Sequence, residues 1–122
     1  MKHITLDQIL AQPVEVQEAL HDAWKPEKFD IVYAKGLGSF SLLDIDDETN
    51  ETKIIITGVR GYFKKHELIH LPTMQWLIEF VKNYEKDIVS EYMLKSLNDI
   101  FIYACYVAKA IYTEKVILNG SR

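Results

Sequence analysis

His66-Glu67-Leu68-Ile69-His70 is the one string in this chain whose residue types and spacing could do bond-breaking chemistry. Two histidines four residues apart share one face of a helix. Both imidazoles can then ligate a zinc ion while the glutamate beside them acts as general base. The chemistry would be hydrolysis by a metal-bound water, and it requires the string to be helical. Pro72 argues against that. It has no N–H to give the Leu68 carbonyl, its ring crowds the same carbonyl, and a proline inside a helix costs about 3 kcal/mol. Leu71, as the residue before proline, is driven towards extended geometry. Lys64 and Lys65 add two cations beside a site meant for a dication. None of the downstream acids, Glu79, Glu85, Asp87 or Glu91, is marked out as a third ligand. The sequence therefore predicts a strand end or short turn at His66 to His70. It assigns no catalytic, cofactor-binding or metal residue, and keeps a zinc-dependent hydrolase through His66, Glu67 and His70 as an alternative.

Three further groups of residues have chemical alternatives. Gly36-Leu37-Gly38, with Arg60, Lys64 and Lys65, could cradle a small anion or nucleotide if a helix N-terminus followed the glycines. Ser39 to Leu43 follows instead and has the character of a strand, so a hairpin turn is expected. Asp44, Asp46 and Glu48 have the spacing of a calcium loop but lack its central glycine and closing glutamate, so Asp44 to Glu51 is expected to be a solvated hairpin tip. Cys105 lies within an apolar run with no histidine or acid beside it, which predicts a buried, inert thiol.

The elements that must position these residues divide by pattern. Thr5 and Gln8 make a capping box, with Ile4 and Ile9 as a hydrophobic staple. Pro13 suits the first turn of a second helical piece carrying Val16 and Leu20 on its inner face, with His21 in solvent. Trp24-Lys25-Pro26 ends the helical region. Phe29 to Ala34 alternates like a strand, Lys53 to Thr57 is β-branched on both faces like a central strand, and Tyr62-Phe63 offers a short fourth strand after the Gly58 and Gly61 turn. Thr73 caps a helix with Leu77, Phe80, Val81 and Tyr84 on its buried stripe and Trp76 at the margin. Asp87 to Ser90 is loop. A long apolar helix is expected from Glu91 to about Leu118, with a possible fresh start between Ser96 and Asp99. Its stripe runs through Ile100, Phe101, Ala104 and Ile111, and Tyr103, Cys105 and Tyr106 fall on a second face that needs a partner. The fold class is α+β. A three- or four-stranded antiparallel meander over 29–64 is expected to pack with N-terminal helices over 1–24 and two helices over 73–118. The links between strands are too short for parallel crossovers.

A chain of 122 residues is the length of a single domain able to bury a core without staples. One cysteine excludes an intrachain disulfide and fits a reducing compartment. The net charge of −4 gives no basic footprint for nucleic acid. Polar residues follow Met1-Lys2-His3-Ile4 at once, so no secretory signal is read there, and Ile100 to Ala108 is too short a run to span a membrane. These features predict a chain in the cytoplasm.

Three landmarks resemble a group of small uncharacterised proteins encoded by phages and prophages of Gram-positive bacteria. Trp24-Lys25-Pro26 with Asp30, Val32 and Tyr33 is similar to the group's W-x-P-x-x-G-D-x-V-Y, with Phe29 in the glycine place. Ile69-His70-Leu71-Pro72 followed by Leu77 is similar to I-x-L-P-x-x-x-x-L, and Val107, Lys109, Tyr112, Lys115 and Gly120 to V-x-K-x-x-Y-x-x-K with a late glycine. The resemblance implies no established activity, but it does imply that the Leu71-Pro72 step is a feature of the fold. Together these readings predict a small non-enzymatic accessory protein that binds a host or phage protein, with inhibition of a defence or replication factor as one role such binding would serve. The C-terminal helix is a candidate for homo-oligomer contact, such as a dimer.

Overall fold

A computed structural model describes residues 2–46, 52–84 and 96–120, the side chains of 118–120 excepted. The elements are α1 (Leu6–Leu10), α2 (Val14–Ala23), β1 (Ile31–Ala34), β2 (Gly38–Asp46), β3 (Lys53–Ile56), a 3₁₀ turn (Lys65–Glu67), β4 (Leu68–His70), α3 (Met74–Tyr84) and α4 (Leu97–Gly120). The class is α+β, with one four-stranded antiparallel sheet in the order β3-β2-β1-β4. The chain forms two compact units, Met1–Ala23 with Pro72–Arg122, which holds the helices, and Trp24–Leu71, which holds the sheet. The acidic tip expected over 47–51 and the loop and helix start expected over 85–95 lie outside the described residues.

The helical unit follows its local signals. The Gln8 N–H donates to Thr5 Oγ1 at 3.2 Å and the Thr5 N–H to Gln8 Oε1 at 2.9 Å, which completes the capping box of α1. Ile4 and Ile9 are both buried. Pro13 separates α1 from α2, and its carbonyl accepts from the N–H groups of Val16 and Gln17 to start the second helix. Thr73 Oγ1 accepts from the Trp76 N–H at 3.3 Å, capping α3. Ser96 Oγ accepts from the Asp99 N–H at 3.1 Å, so a fresh helix does begin at Leu97. Both α2 and α3 pack on α4. The buried stripe of α3 is Leu77, Phe80 and Val81, each worth about 1.5–3 kcal/mol when fully removed from water. His21, expected in solvent, is half-buried on α2.

In the sheet unit the long-range pairing departs from the local reading. The strand expected from Phe29 begins at Ile31. The β1–β2 hairpin closes over Lys35 to Leu37, with Ala34 opposite Gly38 and the Leu37 N–H bonded to the Ala34 carbonyl at 3.0 Å. Gly36 at φ +81° and Gly38 at φ +114° take backbone angles that a side chain would oppose. β2 runs on through Asp44 and Asp46, so the first half of the expected acidic tip is strand. Lys53 to Ile56 is an edge strand rather than a central one. Ile54 and Ile56 are buried all the same, and along the strand's outer margin Ile54 and Phe63 exchange two backbone hydrogen bonds of 2.7 and 2.8 Å. Lys53 Nζ lies 4.8 Å from the centroid of the Tyr62 ring. Tyr62-Phe63 is thus a single bridge, and the fourth strand is Leu68–His70, lying on the far side of β1. A simple meander would have placed it beyond β3.

Phe29 has φ +73° and is 72% exposed, while its N–H donates to the Leu42 carbonyl at 2.8 Å. A bulky residue in the left-handed region costs about 1–2 kcal/mol relative to glycine, partly offset by glycine's greater freedom in the unfolded chain. Phe29→Gly is expected to stabilise the protein by a few tenths to about 1 kcal/mol in chemical denaturation. A loss of stability would mean that the ring makes contacts worth more than the strain.

Candidate functional site

The helical condition for a zinc motif is not met. Lys65–Glu67 is a 3₁₀ turn and Leu68–His70 is a strand, so no common helical face carries His66 and His70. Each residue of the string has its own place. The Glu67 carboxylate accepts from the Lys64 N–H at 2.9 Å and the Glu67 N–H donates to the Lys64 carbonyl at 3.0 Å, a reciprocal clamp that holds the turn. His66 is exposed. His70 is 8% exposed and its ring stacks on Trp24, centroids 4.9 Å apart and planes 4° from parallel. Such a pair contributes about 0.5–1.5 kcal/mol beyond the area it buries. Among the described residues, no three His, Cys, Asp or Glu side chains gather as a metal-binding group. Glu79 is exposed on α3, and Glu85, Asp87 and Glu91 lie outside the described residues.

Trp24 is buried, and its indole Nε1–H donates to Asp30 Oδ2 at 2.8 Å. The same oxygen accepts from the Glu27 N–H at 2.9 Å. Trp24, Pro26 and Asp30, which carried the first landmark, therefore form the turn that leads into β1. Beyond β4, the Leu71 N–H donates to the Ile31 carbonyl at 2.9 Å, while the Pro72 carbonyl accepts from the Ile4 N–H at 2.8 Å. The Leu71-Pro72 step is where sheet pairing stops and the α3 cap begins.

The helix N-terminus that an anion cradle at the glycine turn would require is missing. No helix follows the glycine turn, because β2 starts at Gly38 itself. The loop holding Arg60 leaves β3 at Thr57, whose N–H is bonded to the Ser41 carbonyl. Ser41 is three residues along β2 from Gly38, a distance of about 10 Å. Asp44 lies on β2 with its carboxylate 4.0 Å from Lys28 Nζ, an exposed pair of little energetic weight.

Cys105 is buried, and desolvation pushes its thiol up from the ordinary 9.0 to about 11. It is held as the thiol at neutral pH and is a poor nucleophile. Of the second face expected at Tyr103, Cys105 and Tyr106, Cys105 is buried as expected for its thiol and Tyr103 is half-buried, while the exposed side of α4 is centred on Ile102 and Tyr106.

The helical unit also holds a groove that the sequence did not disclose. One cavity of about 260 Å³ is lined by Trp76, Phe80 and Tyr84 of α3 with Ile111 of α4. A second, of about 370 Å³, is lined by Glu18, Ala19 and Asp22 of α2 with Tyr112, Lys115 and Val116 of α4. They share Ala23 and Ile111 and so adjoin. Trp76 and Phe80 stack with centroids 5.4 Å apart, forming one wall, and the Tyr84 hydroxyl donates to Glu114 at 2.8 Å. Glu18, Asp22 and Glu79 are exposed along the edge, and Lys115 is paired with Asp22 at 3.8 Å. The marginal place of Trp76 on its helix was the one local hint, because a tryptophan beside the buried stripe must either complete the core or wall a cleft. No family model, curated protein or solved structure matches this chain.

Two outcomes follow from these placements. His70→Ala should cost roughly 2 kcal/mol or more of unfolding free energy by losing a buried, stacked ring, whereas His66→Ala should leave the denaturation midpoint unchanged. Equal effects would break the assignment of His70 to the packing. Because the folded thiol of Cys105 titrates above the unfolded one, its stabilising contribution is whole below about pH 9 and is lost as pH rises towards about 11. Wild type should accordingly lose stability faster than Cys105→Ala across that window, as read by thermal melting. Parallel curves would contradict the buried thiol.

Proposed function

We propose that this chain is a small non-enzymatic accessory protein of phage or prophage type, acting in the host cytoplasm by binding a protein. The groove of α2, α3 and α4 takes an apolar segment of that partner. The single observation behind this reading is the character of the groove. It is open, its floor and walls are aromatic and aliphatic, and its edge carries Glu18, Asp22 and Glu79 against Lys115 alone. Concave apolar surface with a few charged groups at the rim is the usual anatomy of a recognition site. The sign of the rim selects the occupant, an amphipathic helix whose apolar side chains are flanked by lysine or arginine. Inhibition of a defence or replication factor is one outcome such binding would have. The absence of any helix among the described residues long and apolar enough to cross a membrane is compatible with this setting.

Lysine-rich amphipathic peptides, titrated by calorimetry, are expected to bind, and the same peptides with glutamate for lysine are not. Ile111→Glu and Glu79→Lys should each weaken binding by about tenfold while leaving the circular dichroism unchanged. Equal affinity for both peptide charges, or full binding by folded Ile111→Glu, would overturn the groove as the site.

A further inference from the structure

The 24-residue helix α4 carries a second surface, which the groove does not use. Asp99, Ile102, Tyr106, Lys109 and Thr113 are all exposed and follow one another at alternating spacings of three and four. That is the period of a straight seam along one side of an α-helix, suited to packing against another helix. Ile102 and Tyr106 are 68% and 69% exposed, so the middle of the seam is apolar surface left in water. Asp99 and Lys109 flank that apolar middle, ten residues apart. At 1.5 Å per residue they are about 15 Å from each other along the axis, too far to pair within one chain.

The arrangement of Asp99, Ile102, Tyr106 and Lys109 is self-complementary. When a second copy of the seam is laid antiparallel, with a two-fold axis at the level of Ala104, Asp99 meets Lys109 of the second copy and Ile102 meets its Tyr106. Symmetry repeats both contacts. A two-fold interface uses the same patch on each subunit, and this patch presents opposite charges and opposed apolar side chains to itself. The parallel arrangement does the reverse, setting Asp99 beside Asp99 and Lys109 beside Lys109. Antiparallel helices also place their macrodipoles favourably. We infer that the chain forms an antiparallel, two-fold dimer through the Asp99–Ile102–Tyr106–Lys109 seam of α4. The seam covers about three turns, shorter than a standard stable interface requires, so the dimer belongs to the weak, reversible class.

None of Ile111, Tyr112, Lys115 and Val116, the α4 residues that line the groove, lies on this seam. The dimer and the binding of a basic peptide can therefore fail independently.

The test is a charge exchange read by sedimentation equilibrium over a concentration series at low salt. Wild type is expected to pass from monomer to dimer with rising concentration. Asp99→Lys and Lys109→Asp, each made alone, should raise the dissociation constant on the order of tenfold or more, because each turns two attractive pairs into two repulsive ones. The double variant Asp99→Lys with Lys109→Asp restores opposite charges across the axis and should return towards wild-type association. Tyr106→Glu should give monomer with unchanged circular dichroism. A wild type that stays monomeric at the highest concentration reached, or a double variant no better than the two single ones, would overturn the proposal.

Discussion

The sheet unit depends on how one indole is held. Trp24 lies flat against His70 and donates its indole N–H to Asp30, whose carboxylate also accepts a backbone N–H in the turn before β1. Three constraints meet there. The indole is enclosed within the sheet unit, the turn into β1 is closed by a side chain, and β4 is tied to residues far from it in sequence. A buried indole whose N–H lacked a partner would cost about 1–3 kcal/mol, so Asp30 and Trp24 act as one unit. His70 is thereby part of the packing. Two imidazoles in a string suggest a metal, but the backbone between them is extended and one ring is already stacked.

How much of this was legible in the sequence depended on the range of the interaction involved. Thr5 with Gln8, Thr73, Ser96, the glycine turn and the break at Pro72 all act within a few residues, and each does in the structure what its local chemistry dictates. The place of Lys53 to Ile56 at the edge was not legible, because β-branched residues on both faces also suit a central strand. What decides it is the bridge from Phe63 and the pairing of Leu68–His70 with β1. That pairing was hidden for the same reason, since a three-residue strand carries too little pattern to be separated from a turn. The Trp24–His70 stack joins residues that no periodicity relates. The groove needed three helices to be placed before it existed at all.

α4 shows why a helix that is apolar almost all round is hard to interpret from sequence. One side fills the space against α2 and α3, where Ile100, Ala104, Val107 and Ala108 are fully enclosed. Another lines the open groove through Ile111 and Val116. The outward side keeps Ile102 and Tyr106 in water. Periodicity reports that all three sides are apolar, but only the packed helices tell which apolar residues are already satisfied. Cys105 illustrates the difference, since its place mid-run predicts the buried thiol that the structure shows, whereas the side of the helix it shares with Tyr103 is settled only by the packing.

The two margins of the sheet also bear on how the protein behaves at high concentration. A bare β-edge offers a row of hydrogen-bonding groups on which further strands from other molecules can grow into fibres. Here one margin is occupied by the Phe63 bridge. The other is a strand of three residues, introduced by Lys64 and Lys65 and closed by Pro72 two positions beyond His70. Like charge at one end and a residue unable to donate at the other leave little template for polymer growth. The proline that ends the pairing thus also guards against amyloid-like stacking.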